Sequence, residues 1–266
     1  MKDKLNILAF KKMKEKGEKI VMVTAYDYTG GLLAEQAAVD VILVGDSLGM
    51  TMLGYDSTVP VTMDEMVHHM RAVRRGAPKT MCIVDMPYMS YEISVEEAIR
   101  NGGRLIKEGF ADAVKVEGGI SRVPVVEVMV KAGVPVMGHL GLTPQTADQL
   151  GGYKVQGRDQ DAAREMVKDA MALQEAGAFG IVLECVPQGL AQEITAGLTV
   201  PTIGIGAGVN CDGQVLVYHD LLGLYQRLKP KFVKQYADLG DQVREALEQY
   251  GREVKSGVFP GEEHSF

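Results

Sequence analysis

The sequence predicts an α/β protein in which eight parallel strands alternate with helices and close into a (β/α)8, or TIM, barrel. Three observations carry that reading. Short runs of Val, Ile and Leu recur along the chain, and strands buried on both faces of a parallel sheet read in this way. Helical stretches separate them, at a cadence of about 30 residues per strand–helix unit. Several apolar runs also stop abruptly on a carboxylate or a histidine. In barrels of this kind functional groups collect at the carboxyl-terminal ends of the strands.

The elements follow in order. Residues 4–16 read as a short amphipathic lead helix with Leu5, Leu8 and Met13 on one side. Ile20–Tyr26 is the first strand and Gly30–Ala38 a helix. The second strand, Val41–Gly45, leads into Asp46 and a loop rich in Gly and Thr, Ser47–Pro60. Thr62–Arg75 is a helix, and Thr62 with Glu65 three residues on has capping-box form. Thr80–Val84 ends on Asp85; the helix Ser94–Glu108 then opens with Ser94 and Glu97 in the same pattern. Ala113–Val116 ends on Glu117 and is followed by the helix Val123–Ala132. Pro135–Gly138 ends on His139. A longer insertion, Leu142–Gly157, reads as a functional loop rather than packing, and the helix Asp159–Ala176 follows it. Gly180–Leu183 ends on Glu184, with a helix over Gly189–Ala196. Pro201–Gly206 runs into Gly-Ala-Gly, and Gln214–Tyr218 is the eighth strand. Phe232–Glu253 is a C-terminal helical extension and Ser256–Phe266 a tail. No linker or composition break divides the chain, so residues 1–266 are expected to form one barrel domain. The alternative, an open doubly wound sheet, is disfavoured by the count of eight.

Composition bounds the function. With 46% hydrophobic residues among 266, the chain can bury a large core. Lys and Arg total 28 against 35 Asp and Glu, and the net charge of −7 argues against a nucleic-acid surface. No window approaches the ~20 apolar residues of a membrane span. Met1–Lys19 lacks the apolar core of a signal peptide. Cys82, Cys185 and Cys211 are odd in number and far apart, which favours a reducing, cytoplasmic setting without a disulfide framework. Cys82 and Cys185 lie in apolar runs and are expected to be small core residues.

The chemistry-bearing residues sit at the strand ends. Taken alone, Asp46 in Val41-Ile-Leu-Val-Gly-Asp-Ser47 could cap a turn. Asp85, Glu117, His139 and Glu184 end four other strands, so all five are expected at one mouth. Lys115 and Glu117 are two apart in a strand and project to the same side. Four acids in one pocket repel each other unless a cation is present. The oxygen-rich, thiol-poor set favours a hard ion, Mg²⁺ over Zn²⁺. Gly45 is expected to leave room for a ligand to approach the backbone. The run Gly204-Ile-Gly-Ala-Gly208 reads equally as a tight turn or as an anion or substrate contact; it lacks the context of a dinucleotide fingerprint. His68 and His69 read as one packed and one exposed histidine on a helix.

Several stretches together resemble the ketopantoate hydroxymethyltransferase family. Among them are Met22-Val-Thr-Ala-Tyr-Asp-Tyr28, Val44-Gly-Asp-Ser-Leu-Gly49 and Val84-Asp-Met-Pro87. Further on come Val114-Lys-Val-Glu-Gly-Gly119, Gly138-His-Leu-Gly-Leu-Thr-Pro-Gln145, Gly151-Gly-Tyr-Lys-Val-Gln-Gly157 and Pro201-Thr-Ile-Gly-Ile-Gly-Ala-Gly208. The likeness runs through nearly the whole chain. It implies a barrel of the phosphoenolpyruvate/pyruvate superfamily type that uses one Mg²⁺ per subunit. By the same resemblance Asp46 and Asp85 would bind the metal, and Glu117 would complete its site directly or through water. Asp46, Ser47, Asp85 and Lys115 would contact a 2-oxo acid, with His139 close to it, and Glu184 would be the proton acceptor. The reaction implied is transfer of a one-carbon unit from 5,10-methylenetetrahydrofolate to 3-methyl-2-oxobutanoate, giving 2-dehydropantoate for pantothenate synthesis. A homo-oligomer, commonly a decamer, is implied as well. Two other readings are a Mg²⁺-dependent 2-oxo acid lyase or mutase of the same superfamily, and a non-catalytic scaffold barrel.

Overall fold

The computed structural model describes residues 4–227 and 229–266. It divides into two compact units, Met1–Val217 and Tyr218–Phe266. The first is the barrel. Its lead helix, α1 (Ile7–Lys16), starts at Asn6, whose side chain accepts from the Ala9 N–H, and stops at Gly17 in the left-handed region. Then come β1 (Ile20–Thr24), α2 (Tyr28–Gln36), β2 (Val41–Val44), a single turn α3 (Leu48–Thr51) and α4 (Met63–Gly76). They are followed by β3 (Met81–Asp85), α5 (Val95–Lys107), β4 (Ala113–Glu117), α6 (Val123–Lys131) and β5 (Val136–Gly141). The barrel ends with α7 (Gln160–Glu175), β6 (Ile181–Glu184), α8 (Gln188–Gly197), β7 (Thr202–Ile205) and β8 (Gly213–Leu216). The strands pair in sequence order and close, β8 onto β1, with every pairing parallel.

The strands form where they do because both of their faces are covered. Val41, Ile42, Ile83, Val84, Val114, Val116 and Ile181 are all buried, as the barrel interior and the helical ring require. The helices carry the caps the sequence foretells. At α4 the capping box is complete: Thr62 accepts from the Glu65 N–H while Glu65 accepts from the Thr62 N–H. At α5 only half of it forms, since Ser94 caps the Glu97 N–H without a return bond.

Strand ends differ from expectation in an instructive way. Asp85, Glu117 and Glu184 are the last residues of their strands rather than the first beyond them. β5 runs on to Gly141, so His139 lies within it. The cause is pairing: Glu117 is in register with His139, and Gly141 with Glu184, so neighbours on both sides hold the extra residues extended. Cys82 is buried as expected, but Cys185 is only half-buried, because it lies past β6 in a turn with φ of 50°.

The second unit holds α9 (Tyr218–Leu221) and α10 (Leu239–Ser256). The eighth strand therefore stops short of Tyr218, and the C-terminal helix begins later than Phe232. Val243, Leu247, Tyr250 and Val254 recur on one face of α10 and are exposed. No helix among the described residues is long and apolar enough to cross a membrane.

Candidate active site

The barrel register assembles the mouth. Asp85 on β3 is paired with Lys115 on β4, and Glu117 two residues further is paired with His139 on β5. Paired residues in a parallel sheet project to the same face, so one lysine, one histidine and two carboxylates meet inside the barrel. Lys115 Nζ lies 3.0 Å from Asp85 Oδ1, 3.8 Å from Glu117 Oε1 and 3.1 Å from His139 Nδ1. His139 Nδ1 is also 3.3 Å from Glu117 Oε1, while its Nε2 is 3.2 Å from Glu184 Oε2. Asp46, two residues beyond β2, joins them through its backbone N–H, which donates to Asp85 Oδ2 at 3.0 Å. Five of the seven expected residues, Asp46, Asp85, Lys115, Glu117 and His139, are buried; Glu184 and Ser47 are half-buried at the rim.

Ser47 lies at the same rim, with its hydroxyl 2.8 Å from the Tyr26 phenol. Gly45 also has a use within the protein itself. A Cβ there would sit 3.4 Å from Asp85 Oδ2 and 3.0 Å from Ser47 Oγ, so its absence makes space for these two side chains.

Charge at this mouth does not balance. Asp46, Asp85, Glu117 and Glu184 face one ammonium and one imidazole. Burial pushes the Asp46 carboxyl well above the usual range, and the charges of Asp85 and Glu117 push the same way against Lys115 and a Gln145 hydrogen bond. Burial opposes the charge on Lys115, but attraction to Asp85, Glu117 and Asp46 outweighs it and raises its pKa. Burial likewise opposes ionisation of Glu117, yet the hydrogen bond and charge of His139, with Lys115, hold its pKa below the ordinary value. Burial and Lys115 both disfavour the His139 imidazolium; Glu117 and Glu184 overcome them, and its pKa is raised.

A divalent metal fits this donor set. Asp85 Oδ1 is buried against the Lys115 ammonium at 3.0 Å, a single cation that Glu117 Oε1 shares at 3.8 Å. Four carboxylates around one ammonium and one imidazole are costly to hold in a buried mouth unless a further positive charge joins them. Among the described residues no three His, Cys, Asp or Glu side chains form a ready-made metal cage. Mg²⁺ needs none: it is commonly held by one or two carboxylates, with substrate oxygens and water filling the octahedron. Asp46 and Asp85, whose charges act on each other across the mouth, are two carboxylates that could hold it in this way.

Two residues of the cluster went unnoticed in the sequence. Gln145, from the loop after β5, donates from its side chain to Asp46 Oδ2 at 2.7 Å, and from its backbone to Glu117 Oε2 at 3.1 Å. Tyr91, between β3 and α5, donates to Gln145 Oε1 at 2.6 Å. Gln145 lies in the insertion read as functional and closes the stretch Gly138-His-Leu-Gly-Leu-Thr-Pro-Gln145, but neither sign gave it a role. That insertion does reach over the mouth. It does so through Gln145; further along it Tyr153 is half exposed, and its pKa is raised by burial and then by the charges of Glu184, Asp46 and Glu117. Its hydroxyl is 3.9 Å from Met50 Sδ in α3, where the two mouth loops meet.

The glycine run after β7 is a packed turn. A Cβ at Gly208 would come within 2.6 Å of the Gln188 side chain, and one at Gly204 within 3.0 Å of Cys211 Sγ. His68 is exposed, and His69 is half-buried with Nδ1 2.6 Å from the Tyr26 carbonyl oxygen.

A closed parallel barrel with buried acids and one buried lysine at its carboxyl-terminal mouth defines an α/β-barrel enzyme. Solved structures share the fold. They include a phosphonopyruvate hydrolase complexed with oxalate and Mg²⁺, at TM-score 0.64 and 14% identity over 98% of this chain and 93% of that one. A 2,3-dimethylmalate lyase of the PEP mutase/isocitrate lyase superfamily aligns at TM-score 0.61 and 16% identity, over 98% and 91%. Sequence narrows the class: the ketopantoate hydroxymethyltransferase family model matches residues 4–262. The 3-methyl-2-oxobutanoate hydroxymethyltransferase of Moorella thermoacetica is 63% identical over 96% of this chain and 94% of its own. That of Heliobacterium modesticaldum is 59% identical over 100% and 96%. The chain belongs to the ketopantoate hydroxymethyltransferase family, and it is an enzyme.

Proposed function

We propose that the protein transfers a hydroxymethyl group from 5,10-methylenetetrahydrofolate to 3-methyl-2-oxobutanoate, forming 2-dehydropantoate in the cytoplasm. The reaction needs a carbon nucleophile at C3 of the 2-oxo acid, next to a ketone that is by itself a weak activator. The observation that carries the reading is the convergence of Asp46, Asp85, Lys115, Glu117, His139 and Glu184 on one buried mouth.

In this reading Asp46 and Asp85 hold Mg²⁺, with Glu117 directly or through water. When bound, the metal supplies Lewis-acid withdrawal of charge from the oxygens of the 2-oxo acid. Lys115, positive and buried, adds a fixed charge that costs no reorganisation during reaction. Ser47 contacts the 2-oxo acid from the rim. Glu184 takes the C3 proton. His139 Nε2, 3.2 Å from Glu184 Oε2, orients that carboxylate and lies beside the substrate. The carbon left with an electron pair then forms its bond to the folate methylene, whose two carbon–nitrogen bonds break in turn, the second as water supplies the hydroxyl oxygen; the two freed folate nitrogens take up the C3 proton and one proton of the water. The loops bearing Met50 and Tyr153 are long enough to cover the folate and exclude bulk water. The exposed apolar face of α10 supports assembly with further copies, as a homo-oligomer and in this family reading a decamer.

The test is formation of 2-dehydropantoate in a complete mixture, and in mixtures lacking the folate or containing a chelator. Product is expected only in the first. Turnover of the 2-oxo acid without folate would instead favour the lyase or mutase reading. Relatives named as hydroxymethyltransferases at 53–63% identity do not favour that alternative.

A further inference from the structure

The loop after β5 carries a side chain whose hydrogen bonds admit one arrangement. The Tyr91 hydroxyl accepts from the Glu117 N–H at 3.1 Å, which leaves its own proton for Gln145 Oε1 at 2.6 Å. An amide oxygen that accepts must be the oxygen, so the opposite atom is the NH₂, with two hydrogens to give. Both are used: Gln145 Nε2 donates to Asp46 Oδ2 at 2.7 Å and to the Met86 carbonyl at 2.9 Å. A flipped amide would set its oxygen against a carboxylate and a carbonyl, and its NH₂ against a hydroxyl already committed to donating. Tyr91 and Gln145 are both buried, so water does not compete for these bonds. The Gln145 backbone N–H meanwhile takes Glu117 Oε2 at 3.1 Å.

From this geometry we infer that Gln145 is the positioning residue of the cation site, with Tyr91 as the group that locks its amide. The inference rests on the metal reading proposed above and deepens it. One loop residue pins one oxygen each of Asp46, from the end of β2, and Glu117, from the end of β4. Without it Asp46, crowded by Asp85 and Glu117, loses the donor that keeps its carboxylate turned. Partners that orient metal ligands are typically worth about 10–100-fold in metal affinity.

The test is Mn²⁺ binding to the full-length, chelator-stripped protein, followed by electron paramagnetic resonance of the free ion. Gln145→Met keeps the bulk and removes every side-chain hydrogen bond; it is expected to weaken Mn²⁺ binding about tenfold or more. Tyr91→Phe keeps the amide but unlocks it, and a smaller loss, about threefold and below that range, is expected. Asn101→Ala removes a buried side chain that donates to the Ser90 carbonyl at 2.7 Å. It should lower the melting temperature and leave Mn²⁺ affinity unchanged, separating positioning from general stability. Unaltered Mn²⁺ affinity in Gln145→Met overturns the inference; should that variant not fold, unaltered affinity in Tyr91→Phe does so. Wild-type protein that takes up no Mn²⁺, or an Asp46→Asn variant that binds it as tightly as wild type, overturns the metal reading and the inference with it.

Discussion

The two ends of the barrel use acidic residues in opposite ways. At the amino-terminal end Asp40, Asp112 and Asp212 each stand immediately before a strand, β2, β4 and β8. Each accepts a backbone N–H of the preceding strand: Val21 at 2.8 Å, Cys82 at 2.9 Å and Thr202 at 2.9 Å. Asp112 also meets Arg74 and Lys4 at 2.6 Å, and Asp212 meets Lys14 at 2.8 Å. These acids are satisfied and serve as ties between strands. At the other end four acids share Lys115 and His139, and Asp46 is pushed toward its neutral form. The difference teaches that a strand-end carboxylate signals function when its charge is left over. Where a partner closes the account locally, the same residue type is a staple.

That contrast can be broken by substitution. The largest effect is expected at the mouth: Asp85→Ala or Asp46→Ala should abolish 2-oxo acid binding at ordinary Mg²⁺, as read by calorimetry with and without chelator. Asp46→Asn should at the same time raise the melting temperature of the metal-free protein, because it removes a buried charge from among like charges. Next, Glu184→Gln should lower turnover by about 10²–10⁴-fold, the usual worth of a proton-transfer group, with substrate and metal affinity kept. At the opposite end Asp212→Ala should cost about 1.5–3 kcal/mol in urea unfolding, the range for hydrogen bonds to a charged group. Its turnover should match wild type, and a large loss of kcat there would erase the distinction between the two ends. The smallest effect is expected from Thr62→Ala, which removes the α4 cap at about 1 kcal/mol.

The barrel was legible because burial on both faces writes Val, Ile and Leu into each strand, as in Val41–Val44 and Met81–Asp85. The end of β5 was not. Gly138, His139 and Gly141 have weak strand preference, and only pairing with β4 and β6 extends the strand through them. The mouth acids were legible because a carboxylate after an apolar run is conspicuous. Gln145 and Tyr91 follow no periodicity; their roles arise from three segments brought together by closure of the barrel. Asp40, Asp112 and Asp212 also left a readable sign, an acid just before an apolar run, but their satisfaction by Lys14, Arg74 and backbone N–H groups exists only in the fold.

The central claim is that the left-over charge at the mouth serves to hold a cation that activates the 2-oxo acid. Its most direct test is exchange of the C3 proton of 3-methyl-2-oxobutanoate in D₂O, without folate, followed by proton NMR. The wild-type enzyme should exchange the proton with Mg²⁺ present and stop when a chelator is added, and Glu184→Gln should exchange it far more slowly. Exchange at one rate with and without the metal would contradict the claim.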